Sequence, residues 1–149
     1  MPYHIAFSSD HAGFALKSKL IEYTSELGHF ITDLGTNSDE PVDYSDYGYA
    51  LAKTVSDQKV DFGVAICGSG IGISIAANRY SKVRAALCHQ RDYAELARKH
   101  NNANILALGG RYIHDEEACA CLERFLNTPF EEGRHAERVA KLSFVANVT

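Results

Sequence analysis

The sequence predicts an α/β domain in which a mostly parallel sheet is covered by helices on both faces. Short apolar runs alternate regularly with amphipathic stretches of helical length, which is the pattern of strands joined by helical crossovers. No repeat, linker or low-complexity segment interrupts this alternation. The length of 149 residues suits one core, so we expect a single domain over residues 1–149.

Five short apolar runs, several of them rich in Val and Ile, are the predicted strands. In chain order they are His4–Ser8, Phe30–Leu34, Phe62–Cys67, Val83–Cys88 and Ile105–Leu108. Because right-handed crossovers connect them, we expect a three-layer, flavodoxin-like sandwich with a five-stranded parallel sheet in the order 2-1-3-4-5. Ligands of such sheets bind beyond the carboxyl ends of the strands, here at the switch point between strands 1 and 3.

Helices are predicted between the strands and after the last one. The first, Phe14–Leu27, places most of its apolar side chains along one broad stripe and stops at Gly28, which is typical of a C-cap. The remaining helices, including an additional C-terminal one, are predicted over Tyr47–Ser56, Ile71–Tyr80, Tyr93–His100, Glu116–Leu126 and His135–Phe144.

Composition argues against several classes of protein. The net charge of -4 disfavours a broad nucleic-acid surface, which requires clustered Lys and Arg. The chain has no apolar run of about 18 residues, so we expect no membrane partner, and its first residues lack a signal-peptide pattern. The cysteines form no C-x-x-C pair and suggest no disulfide framework. We therefore expect a cytoplasmic protein.

A glycine-rich segment, Gly68–Gly72, directly follows the third strand and opens a helix. It lacks the lysine of a P-loop, and Ile73 stands where a dinucleotide fingerprint needs its third glycine. Free backbone N–H groups at the start of a helix attract negative charge, so the segment is interpreted as an anion hole for an oxyanion or a phosphate. The alternative is a tight turn that binds no ligand.

Cys67 ends the third strand, immediately before these glycines. A position near a helix N-terminus favours the thiolate, which acts as a nucleophile or a base. Most free cysteines are buried and inert, and the residue type alone favours that alternative. The adjacent glycine loop shifts the interpretation towards chemistry.

Two polar clusters each have a functional and a structural interpretation. Within Ser9–His11, after strand 1, Asp10 either caps the first helix or has a functional role, in which it binds sugar hydroxyls or aids ring opening. His100 is either an acid/base group or a histidine placed favourably at a helix C-terminus. Because His100 precedes strand 5, we expect it at the opposite end of the sheet from Cys67. A site that uses both residues then requires a second subunit.

Arginines near the end of the chain suggest a phosphate site. Arg134 and Arg138 are four residues apart on one helical face, where two guanidinium groups suit a phosphate dianion. The alternative is a solvated face paired with Glu131 and Glu132. Arg111 follows strand 5, at the ligand-binding end of the sheet. Metal binding and Ser–His–Asp hydrolysis are disfavoured, because H-x-x-x-H, H-E-x-x-H and G-x-S-x-G patterns are absent.

These residues resemble the type B ribose-5-phosphate isomerases and the related galactose-6-phosphate isomerase subunits. The likeness runs nearly end to end, and the motif after strand 3 is specific. One branch of the family uses a Glu base at the position of Ile73, so the resemblance places this chain in the Cys branch. The matching stretches are Ile5–Phe7 with Ser9–Phe14, Asp43-Tyr44, Ile66–Asn78, His100-Asn101, and Gly133–His135 with Arg138.

The resemblance implies a Rossmann-like, metal-free isomerase with no cofactor. It also implies a homodimer, or a dimer of dimers, whose active sites are shared between subunits. The reaction would interconvert ribose 5-phosphate and ribulose 5-phosphate through a cis-enediolate, as in the pentose phosphate pathway. Cys67 would be the base, His100 would open the sugar ring and Ser69 would assist proton movement. The sugar would be held by Ser9, Asp10, Gly68, Ser69, Gly70, Ile71, Gly72 and Asn101, and the phosphate by His11, Arg111, Arg134 and Arg138.

Two other classes of function remain open at this stage. A non-catalytic phosphate or nucleotide sensor would bind without turnover, and it gives no reason for a cysteine beside the loop. A redox protein would need a resolving cysteine near Cys67, and none is evident in the sequence. Incubation with ribose 5-phosphate separates these classes from an isomerase.

Overall fold

The computed structural model describes residues 2–143 and confirms the predicted α/β class: a five-stranded parallel sheet lies between two layers of helices. The strands are β1 (His4–Ser9), β2 (Phe30–Asp33), β3 (Phe62–Cys67), β4 (Ala85–Leu87) and β5 (Ile105–Gly109). After a 3-10 turn at His11–Gly13, the helices are α1 (Phe14–Glu26), α2 (Tyr44–Ser56), α3 (Ile71–Ala77), α4 (Arg91–Asn101), α5 (Asp115–Asn127) and α6 (Arg134–Leu142).

Alternate residues of each central strand belong to two separate cores, one on each face of the sheet. Ile5 and Phe7 of β1 pack in the core that contains side chains of α1, α4 and α5. Ala6 of β1 packs in the other core, with side chains of α2 and α3. β3 follows the same rule, and its Cys67 belongs to the second core.

The predicted order of the last two strands is wrong. The sheet runs β2-β1-β3-β5-β4, so β5 lies beside β3 and β4 lies at the edge. Every residue of β5 is buried, which suits an interior strand. β4 is only three residues long and partly exposed, and it follows the charged Arg84, which suits an edge. This order pairs Gly109 with Cys67, so the segment after β5 lies next to the glycine loop.

Most predicted helix bounds differ from the structure by only a few residues. α3 ends at Ala77 rather than Tyr80, because the Asn78 amide instead bonds the edge strand: its Oδ1 accepts from Ala85 N–H at 2.8 Å and its Nδ2 donates to Ala85 O at 2.9 Å. Gly28 follows α1 at φ +92°, as its C-cap role requires. The predicted end of the last helix, at Phe144, lies outside the described residues.

All four cysteines are free. Over residues 2–143, every helix is too short or too polar to cross a membrane.

Candidate active site

Three connections meet at the carboxyl ends of the central strands, where the sequence places the ligand site. They follow β1, β3 and β5, which are neighbours in the sheet. The backbone ties the last two together: Gly110 N–H donates to Cys67 O at 2.8 Å, and Arg111 N–H donates to Gly68 O at 3.0 Å. The predicted switch point is therefore present, and β5 adds a third wall to it.

The glycine loop takes its shape from Gly70. This residue has φ +79°, a left-handed conformation that favours glycine, and a Cβ there would lie 2.8 Å from the carbonyl carbon of Leu108. The turn starts α3 directly at Ile71. On its outer side the loop packs against Tyr44, whose Cε1 would lie 2.5 Å from a Cβ on Gly72.

The Cys67 sulfur lies inside this loop. Sγ accepts a hydrogen bond from Gly70 N–H at 3.2 Å. The side chain is 4% exposed and packs against the α2 and α3 core. In the single chain, the sulfur thus faces a backbone amide on one side and apolar side chains on the other.

The other cysteines have a different environment. Burial raises the pKa of Cys88 to about 11 and that of Cys121 to about 12, and it also raises the pKa of Cys119. All three therefore remain thiols at neutral pH. Only Cys67 accepts a backbone amide hydrogen bond among the cysteines, all of which lie in the described part of the chain.

Two polar side chains border the loop. The hydroxyl of Ser69 accepts from Ile71 N–H at 3.2 Å, at the mouth of the anion hole. The exposed Arg111 lies beside the loop, with Nη1 3.1 Å from where a Cβ on Gly68 would be. A guanidinium group next to the backbone amides of a helix start is a suitable environment for a phosphate or an oxyanion.

The segment after β1 is more enclosed than the sequence suggests. Asp10 caps the 3-10 turn, as its Oδ1 accepts from Gly13 N–H at 3.1 Å, and it is 6% exposed. Ser9 is fully buried, and its Oγ has no hydrogen-bond partner among residues 2–143. The His11 ring is partly exposed, and its Nδ1 accepts from Val42 N–H at 3.1 Å.

His100 lies at the opposite end of the sheet, as its place before β5 requires. It belongs to the last turn of α4, and β5 then starts at Ile105 beside Gly63. From Gly63 to Cys67 the strand advances four residues, or roughly 13 Å at about 3.3 Å per residue. Within one chain, His100 and the exposed Asn101 therefore cannot contact a sugar that is bound at the Cys67 sulfur.

Helix α6 brings a second histidine against His100. The rings of His100 and His135 stack with centroids 4.4 Å apart and planes 13° apart. His135 is 8% exposed, and its Nε2 lies 3.6 Å from Glu131 Oε1. Arg134 is the first residue of the same helix and Arg138 lies about one turn further on; both are exposed, so both guanidinium groups are open to a ligand or to another subunit.

His135 and Tyr44 are the neighbours of the predicted site that the sequence analysis did not assign. Sequence spacing could have indicated that His135 is buried, because it lies four residues before Val139 on the same side of α6, and these two are the buried residues of the helix. The position of Tyr44 depends on the contact between α2 and the loop, which no local pattern reveals.

His100, Glu131 and His135 also form a group whose candidate ligand atoms lie within 4.8 Å of one another. Sequence spacing did not predict this group, because its members come from α4, the α5–α6 connection and α6. A shared metal ion would lie near the plane of each imidazole that binds it. Two rings stacked almost in parallel cannot both meet that condition, so the observed geometry suits packing better than metal binding.

Comparison with known proteins gives a consistent result. A family model described as Ribose/Galactose Isomerase matches residues 5–142. Ribose-5-phosphate isomerase B of Escherichia coli is 40% identical over 141 residues, which cover 95% of each chain. A ribose 5-phosphate isomerase of Thermotoga maritima superposes with a TM-score of 0.94 at 49% identity, over 96% of this chain and 99% of that one. The Mycoplasma genitalium ribose-5-phosphate isomerase B, crystallised with bound ribulose 5-phosphate, has a TM-score of 0.90 at 38% identity, over 94% and 93% of the two chains.

Proposed function

Because the chain belongs to the ribose/galactose isomerase family, we propose that it interconverts ribose 5-phosphate and ribulose 5-phosphate without a metal ion. The names of its relatives support this substrate, since the Escherichia coli and Thermotoga maritima proteins are ribose 5-phosphate isomerases. The Mycoplasma genitalium relative binds the ketose itself.

One observation supports the mechanism above all others: the Cys67 sulfur accepts a hydrogen bond from the Gly70 amide at 3.2 Å. We assign Cys67 as the base. Its thiolate removes the proton from C2 of the open-chain aldose, and the same proton is then returned to C1, which gives the ketose. The intermediate is a cis-enediolate, whose negative charge is stabilised by backbone N–H groups of the glycine loop.

The other steps are assigned to polar groups near the loop. Ser69, at the mouth of the anion hole, moves the proton between O1 and O2 of the enediolate. Asp10 binds sugar hydroxyls together with Ser9, and Asp10 also aids ring opening. Ser9 is enclosed in the isolated chain, so its part in binding requires that the β1–α1 connection shifts when substrate enters.

Phosphate binding uses arginines from two subunits in this proposal. Arg111 and His11 belong to the same chain as the glycine loop. Arg134 and Arg138 approach from a second copy. The phosphate does not react, so its binding energy serves to hold C2 against the sulfur.

A second copy is required because His100, which opens the sugar ring, precedes β5 at the amino end of the sheet, and β3 runs roughly 13 Å from Gly63 at that end to Cys67. The start of α3 supports an interface at this position. Ile71 and Ile75 are 52% and 56% exposed and are four residues apart on one side of the helix that follows the loop. Exposed apolar pairs beside a polar site are typical of contact surfaces. The functional unit is thus a homodimer, or a dimer of dimers, with His100 and Asn101 supplied by the partner.

The proposal is tested by following ketose formation from ribose 5-phosphate with the wild-type protein and with Cys67→Ala. We expect wild-type turnover, and a loss of about a hundredfold or more in kcat for the variant, because a general base contributes roughly 10²–10⁴-fold. Ribose 5-phosphate should still bind to Cys67→Ala.

The matched control is Cys119→Ala, which removes a thiol from α5 and should leave kcat unchanged. Near-normal activity of Cys67→Ala would show that another group is the base. Binding of ribose 5-phosphate by the wild-type protein without any turnover would identify a sensor instead of an isomerase.

A further inference from the structure

A second cavity lies at the amino ends of the strands, away from the glycine loop. Its volume is about 470 Å³, within the range of small-molecule sites. Residues that precede β1, β3, β4 and β5 line it, so it belongs to the opposite edge of the sheet from Cys67. Its polar lining includes Tyr3, Asp61, Lys82, Arg84, Arg98 and Asn104.

The cationic groups of this cavity outnumber its acidic ones. Asp61 is the acid among the lining residues, and its Oδ2 accepts from His4 N–H at 2.8 Å. Within residues 2–143, neither Arg84 nor Arg98 has a carboxylate at ion-pair distance. The described lining thus carries three positive charges against the one negative charge of Asp61, and the two guanidinium groups are the ones that have no ion-pair partner among residues 2–143.

Arg98 is the more enclosed of the two arginines. It is 8% exposed, its guanidinium carbon lies 4.9 Å from the Phe62 ring centroid, and its Nε is buried without a hydrogen-bond partner among the described residues. Nη1 donates to Ala103 O at 2.6 Å and to Asn102 Oδ1 at 2.9 Å. Both oxygen atoms that accept from Nη1 are uncharged, so these hydrogen bonds do not neutralise the positive charge of the guanidinium group.

Arg84 shares the same cavity wall. It is half-buried, and its Nε donates to Asn102 O at 2.7 Å. Burial lowers the pKa of both guanidinium groups, and the nearby charge of Arg84 lowers the pKa of Arg98 further. Two partly desolvated like charges without a counterion are unfavourable, and an anion between them would relieve both the desolvation and the repulsion.

We propose that this cavity is a binding site for a phosphate group, separate from the isomerase site. Planar guanidinium groups bind phosphate oxygen atoms in pairs, and Lys82 adds a third positive charge at the rim. The volume also admits the organic part of a small phosphate ester, so inorganic phosphate and an ester are both suitable sources of the group.

The site is distinct from the partner-facing surface of the same chain. Arg98 and Asn102 are four residues apart and lie on one side of the end of α4, whereas His100 projects about 200° away from Arg98 around the helix. Both arginines bond Asn102, two residues after His100. A bound phosphate would therefore also steady the turn that carries the proposed ring-opening histidine.

Phosphate binding at the isomerase site must be weakened before this site is tested. We therefore use the double variant Arg134→Gln/Arg138→Gln and titrate it by calorimetry with inorganic phosphate and, separately, with glycerol 2-phosphate. We expect binding of one or both probes to persist in this background. The relative affinities show whether the site takes the free ion or an ester.

Two further substitutions locate the remaining binding. Adding Lys82→Gln or Arg84→Gln should weaken it by about tenfold or more, since a hydrogen bond to a charged group contributes roughly 1.5–3 kcal/mol. Lys82 is exposed, its hydrogen bonds to Arg84 and Asn104 use its backbone carbonyl, and its ammonium group acts on the exposed Asp57 only through its charge. Its variant should therefore fold even if Arg84→Gln does not.

The matched control is Lys19→Gln, which removes one exposed lysine beside Asp115, outside the cavity lining. It should leave phosphate affinity unchanged. The proposal is wrong if the double variant binds neither probe, or if its binding is as insensitive to Lys82→Gln as to Lys19→Gln.

Discussion

The two ends of the sheet carry different halves of one proposed reaction. At the carboxyl end, backbone amides surround a single sulfur, and Cys67 accepts a hydrogen bond from Gly70. At the amino end, the groups are side chains of α4 and α6, with His100 stacked on His135 and Arg138 exposed nearby. A parallel sheet keeps these ends apart because all strands start at one edge and finish at the other. In the proposed reaction, a fold of this class can therefore bring both kinds of group to one substrate only if two chains pair.

The division of the site between the two ends of the sheet is tested most directly by inactivating a different end in each of two subunits. Cys67→Ala and His100→Ala should each lose at least about a hundredfold in kcat. Equal amounts that are refolded together should regain about one quarter of wild-type activity, because half of the dimers are mixed and each mixed dimer has one intact site. Initial rates with ribose 5-phosphate measure the recovery.

The matched control mixes His100→Ala with Arg138→Gln. Both changes lie on the half that a subunit lends to its partner, so each site of the mixed dimer carries one of the two defects. At substrate concentrations well below KM, the mixture should therefore show only the average activity of the two separate variants, with no recovery above it. Equal recovery in the two mixtures, or none in either, would contradict the division of the site between the two ends.

The carboxyl end was the more predictable of the two from sequence. Strand, glycine loop and helix start are contiguous, so Cys67 and Gly68–Gly72 could be placed before any tertiary contact was known. The position of His100 at the far end also followed from chain order. The pairing of His100 with His135 did not, because it depends on how α6 packs on α4, and such packing has no local signature.

The predicted strand order was wrong for a related reason. Crossover connections limit the possible orders but do not decide whether β4 or β5 takes the interior position. The relevant difference was present in the sequence, since Ile105–Gly109 is uniformly apolar or small, whereas Arg84 lies directly before Ala85–Leu87. The consequence for the site is the contact of Arg111 with the loop, which the predicted order would have separated by one strand.

A smaller effect is expected when the amino end loses one phosphate contact but keeps His100. Arg134→Gln should raise KM for ribose 5-phosphate by about tenfold or more and change kcat little, because a charge-assisted hydrogen bond contributes roughly 1.5–3 kcal/mol. Steady-state kinetics separates the two constants. Lys141→Gln removes another exposed cation from α6 and should leave KM unchanged. The same KM for both variants would remove Arg134 from the phosphate site.

The carboxyl end can be tested through its backbone. Gly70→Ala places a Cβ 2.8 Å from the Leu108 carbonyl carbon and 3.0 Å from Gly109 N, whereas Gly28→Ala has a similar positive φ with nothing within 4 Å. Gly28→Ala should therefore cost about 1 kcal/mol of unfolding free energy from backbone strain alone, and Gly70→Ala should cost clearly more. Denaturant unfolding measures both values. Equal losses would mean that the loop relaxes away from β5 and that its shape does not depend on this close contact.

The smallest expected effect is that of a chelator, and it tests whether the amino end acts through side chains alone. His100, Glu131 and His135 are near enough to suggest a metal site, but the imidazole rings stack with planes 13° apart, and an ion could not lie in both planes. Dialysis against EDTA should therefore leave kcat and KM for ribose 5-phosphate unchanged, and added Zn²⁺ should not increase kcat. A loss of activity that Zn²⁺ or another divalent ion reverses would require the two rings to rotate out of their stack to bind it. The amino end would then supply a metal centre in place of a ring-opening histidine.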